Sequence, residues 1–213
     1  MGWLTTLQAI IYADLGELET ARELAERSLE MNTNLGQVIL ESWSINALAY
    51  VSKDELEGQR ILDLCKKLGE AIDKTDNVVS RVYLGEAFIG GLLELGYVEE
   101  AQKEIKEYIQ LVDRAGMMNF QGVARRLRGQ ILAAEGNGQA AEEAYQNAAA
   151  RFDELGSLID LARTLVYLGR LYIDGGNKTQ AQPVLQRALG IFEECGAKGC
   201  TDETGQLLDE LDE

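Results

Sequence analysis

Apolar residues step by three and four along Trp3, Leu4, Leu7, Ile10 and Ile11, and the run stops at Asp14-Leu15-Gly16. That spacing predicts a helix with one apolar stripe. A second stripe begins near Glu19 and runs through Ala21, Leu24, Ala25, Leu29 and Asn32 to Asn34-Leu35-Gly36, where glycine can supply a left-handed helix stop. The same two-helix plan returns as Ser80–Leu95 with Val98–Ala115, Phe120–Glu135 with Gln139–Leu155, and Ile159–Asp174 with Thr179–Cys195.

The copies share a register of about 40 residues without insertion. Gly16, Leu56, Gly96, Gly136 and Gly176 stand at one position, and five residues later come Ala21, Ile61, Ala101, Ala141 and Ala181. Gly36, Asp76, Gly116, Gly156 and Gly196 mark the ends. Repeat two is the irregular copy: its turn reads Lys53-Asp54-Glu55-Leu56, and Gly58 is the nearest glycine able to serve the bend. The alanine sits where the second helix crosses the first and lets two backbones approach, so Ile61 is expected to widen that crossing. Pro183 is tolerable if its helix begins near Thr179–Gln182, because the first amides have no intrahelical partner.

After Gly196, Thr201–Leu211 places Leu207, Leu208 and Leu211 on one side and acids on the other, the pattern of a terminal capping helix. The expected architecture is all-α. It is a single right-handed α-solenoid over 1–213, with repeats at about 1–36, 37–76, 77–116, 117–156 and 157–196 and a capping helix at 201–211. No polar cap precedes Trp3, Leu4 and Leu7, which leads to the expectation that the segment belongs to a longer solenoid or self-associates through that end.

Composition narrows the chemistry. The net charge is −16, with Asp202, Glu203, Asp209, Glu210, Asp212 and Glu213 crowded after residue 200. Such a surface repels phosphate backbones and anionic lipid, so neither nucleic acid nor membrane is an expected partner. The chain has no histidine, which excludes imidazole acid–base catalysis and imidazole metal sites. Cys65 stands alone, and Cys195 and Cys200 lie in a turn region, so the cysteines suggest a reducing, cytoplasmic setting rather than a disulfide framework. Met1-Gly2-Trp3-Leu4-Thr5-Thr6 fits a loose N-myristoylation pattern, yet the register sets Gly2 opposite Ser42, inside a helix.

Gly136-Asn137-Gly138-Gln139 lacks the lysine and hydroxyl of a phosphate loop. The pairs Glu99-Glu100, Glu142-Glu143 and Glu193-Glu194 diverge by about 100° on a helix and share no site. No enzyme, metal or cofactor is expected.

The pattern resembles the tetratricopeptide repeat. The family's small position in the first helix falls on Ala9, Ala49, Ile89, Gly129 and Gly169, and its tyrosine position on Tyr12, Ser52, Leu92, Leu132 and Tyr172. The late small position of the second helix falls on Ser28, Leu68, Tyr108, Ala148 and Ala188. The tryptophan position instead holds Thr5, Ile45, Gly85, Arg125 and Leu165, the closing proline is missing, and the repeat is longer than the usual 34 residues. It is thereby similar to the long repeats of kinesin light chain and of sensor solenoids in STAND-type signalling ATPases, maltose-activator-type transcription regulators and class III nucleotide cyclases.

The resemblance implies a groove lined by the first helices. Its rows fall on Trp3, Trp43, Tyr83, Val123 and Arg163, then on Asn46, Glu86 and Arg126, then on Tyr50, Gln130 and Arg170. Aromatics lie in the earlier repeats and bases in repeats four and five, matching a protein or peptide partner with an apolar anchor and an acidic end. The arginines have a second reading, in which Glu142, Glu143, Glu154 or Asp160 pairs with them between repeats. Function is expected to be that of an interaction scaffold. The alternative is a regulatory sensor segment of a larger signalling protein.

Overall fold

The structure, a computed structural model, describes residues 2–52, 55–75 and 77–212. Met1, Lys53, Asp54, Asp76 and Glu213 lie outside the described residues, and with them part of the expected repeat-two turn and the register position closing that repeat. The described chain is helical, and it divides into two compact modules, Met1–Ala115 and Gly116–Glu213.

The N-terminal module contains α1 (Gly2–Asp14), α2 (Leu18–Asn34), α3 (Val38–Val51), α4 (Glu55–Ile72), α5 (Val78–Glu94) and α6 (Val98–Ala115). The C-terminal module contains α7 (Met118–Ala134), α8 (Gly138–Leu155), α9 (Leu158–Asp174), α10 (Lys178–Cys195) and α11 (Lys198–Asp212). The bounds of the repeat helices fall within two residues of those expected, α11 starts three residues before the expected 201, and asparagine caps account for several early starts. The side chains of Asn77, Asn137 and Asn177 accept from the amides of Ser80, Ala140 and Gln180 at 3.0, 3.4 and 3.4 Å.

Within each module consecutive helices pack as antiparallel hairpins, and each hairpin's first helix also packs on its neighbour's where both are in the same module, as α1 on α3, α3 on α5 and α7 on α9. The turns follow one hydrogen-bond scheme. Gly156 takes φ +67°, its amide reaching the Asp153 carbonyl at 3.1 Å and the next amide, Ser157, reaching Phe152 at 2.9 Å. An L side chain rarely adopts that backbone, hence the glycine. The scheme recurs at Gly16, Gly36, Gly96, Gly136, Gly176 and Gly196.

At the helix crossings Ala21, Ala101, Ala141 and Ala181 are fully buried, and Ile61 is 1% exposed. Ile61 takes the crossing position of repeat two with its side chain packed into the core. Gly58 is not at the bend: it lies inside α4, buried beside Leu95, and its carbonyl faces Gly91 of α5. Its missing side chain permits close helix approach. Pro183 also differs from expectation. The Ala181 amide already bonds the Asn177 carbonyl at 3.1 Å, so Pro183 stands within the hydrogen-bonded helix and leaves the Thr179 carbonyl without its amide.

Bulk is exchanged across the hairpins. Repeats four and five pair a small residue late in the second helix, Ala148 or Ala188, with a larger one in the first, Arg125 or Leu165. Repeat three inverts this: the Tyr108 ring fills the space beside Gly85, 2.6 Å from where a Cβ would stand. The tyrosine at a small position is thereby accommodated. In α11, Leu211 is buried, Leu207 and Leu208 pack on the core of α9 and α10, and Lys178 Nζ donates to the Leu211 carbonyl at 3.0 Å. No helix among the described residues is long and apolar enough to cross a membrane.

Candidate functional site

In the N-terminal module, α3 and α5 run side by side and bring four of the expected residues together. The register puts Trp43 and Tyr83 at equivalent positions, and their rings meet at 5.0 Å between centroids, tilted by 51°. Both are half-buried, and burial, reinforced by the Glu86 carboxylate, pushes the Tyr83 phenol up. One turn along, Asn46 Nδ2 donates to the Tyr83 carbonyl at 3.2 Å and to Glu86 Oε2 at 3.0 Å. Two acceptors fix the amide's orientation and leave its carbonyl oxygen turned away from them. Tyr50 donates its hydroxyl to Asp14 of α1 at 2.5 Å, a partner the register alone does not reveal.

In the C-terminal module, Arg126 and Arg163 converge on one acid. Arg126 is 8% exposed and donates to Asp160 Oδ1 at 3.0 Å, while Arg163 approaches the same oxygen at 4.0 Å. Ser157 donates to the other carboxylate oxygen at 3.1 Å. Burial pushes the Asp160 carboxyl up, but the two guanidinium groups and the hydrogen bonds from Arg126 and Ser157 outweigh it, holding the carboxyl below its ordinary 3.8. The Arg126 guanidinium lies over the Phe152 ring, 5.4 Å from its centroid, and Phe152 in turn fills the space beside Gly122.

Among the four acids that pairing suggested, Asp160 takes Arg126. Glu142 instead accepts from Tyr172 at 2.7 Å, and Glu154 pairs with Arg151 at 3.3 Å. Gln130 is half-buried on α7, and Arg170 is exposed on α9 with no ion-pair partner among the described residues. Of the remaining row positions, Trp3 is 46% exposed and Val123 is buried. Phe152 is the contact that sequence reasoning missed; its signal is an aromatic in the second helix opposite a glycine in the first. Among the described residues no cluster of three or more Cys, Asp or Glu side chains is placed to share a metal ion.

Comparison with known proteins agrees with this geometry. Residues 121–194 and 2–27 match models described as tetratricopeptide repeat. No curated protein sequence matches the chain. A Rap protein solved in complex with competence and sporulation factor superposes with TM-score 0.74 at 14% identity, over 100% of this chain and 66% of that one, so the chain spans just under two thirds of that protein's length. The apo form of RapI gives TM-score 0.60 at 12% identity, over 91% of this chain and 71% of that one. A kinesin light chain from Podosopora anserina with nearly identical TPR-like repeats gives 0.56 at 17%, over 90% of this chain and 94% of that one. The matched models identify tetratricopeptide repeats at residues 2–27 and 121–194, and the glycine turns, crossing alanines and paired helices carry the same plan through the other hairpins.

Proposed function

We propose that the chain is a non-catalytic interaction scaffold that holds a peptide, or a segment of a partner protein, against its first helices. The observation that carries this reading is the Trp43–Tyr83–Asn46–Glu86 cluster. Its two aromatic rings retain exposed surface, and a pinned amide beside them presents an acceptor to an incoming backbone N–H. A Rap protein of the same fold, solved with competence and sporulation factor, lends support. In the C-terminal module, exposed Arg170 and half-buried Arg163 offer positive charge to an acidic portion of the partner.

The test is a peptide-library screen repeated with two variants. Trp43→Ala and Arg170→Ala should each weaken the hits by about tenfold or more while leaving the helical signal intact. Every hit binding both variants as tightly as the unaltered chain would sink the reading. Arg126→Ala is the poorer probe, because it also strips a buried ion pair.

Self-association through α1 is a second reading, favoured by Trp3, Leu4 and Leu7 at 46, 49 and 42% exposure on one helix face. Light scattering across a dilution series decides it, and a monomer at every concentration removes it.

A further inference from the structure

Where α2 meets α3, the register places Leu29 opposite Ile45, and both are buried in the core. Forty residues on, the equivalent positions of α4 and α5 are Gly69 and Gly85. The Tyr108 ring occupies the Gly85 side, but nothing occupies the Gly69 side: the atom nearest an added Cβ there is Leu84 Cδ2 at 3.9 Å. A cleft of about 210 Å³, open on one side to solvent, remains there, its apolar lining drawn from Cys65, Ile72, Leu84 and Phe88. The other repeats put Leu29, Ile109, Ala149 and Leu189 at the Gly69 position, so the missing side chain leaves an apolar recess open to a ligand.

Most of the lining is apolar. Burial pushes the Cys65 thiol up to about 12, so it stays protonated, facing the Leu84 carbonyl at 4.0 Å. Charge gathers at the rim, where Arg81 pairs with Asp73 at 3.2 Å and Lys66 stands exposed with no ion-pair partner among the described residues. Lys66 thereby offers a positive charge at the rim, on a chain whose net charge is −16. An apolar cavity of about 150 Å³ suffices to hold benzene. The larger volume here leaves room for one ring and a short acidic arm.

We propose that this cleft binds a small carboxylic acid with an apolar body the size of one aromatic ring, the ring between Ile72, Leu84 and Phe88 and the carboxylate at Lys66. Phenylacetate and its neutral counterpart phenylacetamide are the probes, read by methyl NMR of Ile72 and Leu84 in the full chain. Phenylacetate should shift both methyl sets saturably, and phenylacetamide should bind about fivefold more weakly or worse. Lys66→Glu should weaken the acid by about the same factor and leave the amide unchanged. Gly69→Leu, which restores the residue of repeats one and five, should abolish binding of both.

Absence of saturable shifts in the unaltered chain overturns the proposal. So does equal affinity for acid and amide, or binding that survives in a folded Gly69→Leu chain. Should Gly69→Leu fail to fold, the methyl shifts and Lys66→Glu still decide. None of these readouts involves the peptide-binding faces, so this proposal and the scaffold reading fail independently.

Discussion

Arg126 and Asp160 form a deeply set ion pair in the C-terminal module, with side chains 10% and 20% exposed. Removing one partner strands the other charge. Arg126→Ala should destabilise the module by about 2–4 kcal/mol in urea unfolding, toward the low end for a broken buried pair because Ser157 and Arg163 still face the carboxylate. The same pair sets a pH response. A carboxyl whose folded value lies below its unfolded one stabilises the fold above the unfolded value, and that contribution disappears as pH falls through the folded value. The loss should therefore set in below about pH 4, and the drop in urea midpoint between pH 7 and pH 3 should be smaller in Asp160→Asn. At Gly85, an added methyl meets the Tyr108 ring at 2.6 Å. Overpacking costs about 1–3 kcal/mol against roughly 1 kcal/mol gained in helix propensity, so Gly85→Ala should lower thermal stability. Combining Gly85→Leu with Tyr108→Ala copies the arrangement of Leu165 and Ala188 and should recover most of the loss.

At the scale of the element, α10 carries a fault that can be relieved. Pro183 is exposed, so its replacement loses no packing. Pro183→Ala restores an amide for the Thr179 carbonyl, and after about 0.4–1 kcal/mol is returned through a freer unfolded chain, a net gain of about 1–2 kcal/mol is expected in urea unfolding. The helices and their pairing were legible in the sequence because each demand is local: a glycine where φ is positive, an alanine where backbones cross. The same letter misled where the demand was different. Gly58 and Gly91 are glycines for close approach between α4 and α5, and no register position marks that use. The aromatic part of the candidate site followed from register, since Trp43 and Tyr83 sit at equivalent positions of neighbouring hairpins. The arginines did not resolve so simply. Four acids stood within plausible reach of Arg126, and only the reach of the folded side chains selects Asp160. The hollow at Gly69 needed the position of Tyr108, which spacing does not give.

For the molecule as a whole, charge dominates. A net charge of −16 on 213 residues makes the compact state self-repelling. Surface pairs such as Arg22–Glu57 at 2.5 Å and Arg187–Asp153 at 3.3 Å weaken as salt rises, but exposed pairs contribute about 0–1 kcal/mol each. Relief of the general repulsion should win, so the melting temperature should rise between low and moderate sodium chloride; a fall would mean that the pairs outweigh it. The C-terminal module has its own buried core around Tyr145, Phe152, Leu185 and Phe192. Expressed as residues 116–213, it should unfold cooperatively, with sigmoidal loss of helical circular dichroism.

The glycine turns carry a consequence for how such a chain changes over generations. Each helix in a regular hairpin begins and ends on bonds made within its own turn, as at Asp153, Gly156 and Ser157. A tract of DNA copied or dropped between two such turns, in whole periods, leaves the flanking helices with their own starts and stops intact. Unequal crossing-over is thereby a tolerated event in the regular copies. Repeat two, whose turn has no glycine in register, is the place where a recombined gene should most often yield a chain that cannot fold.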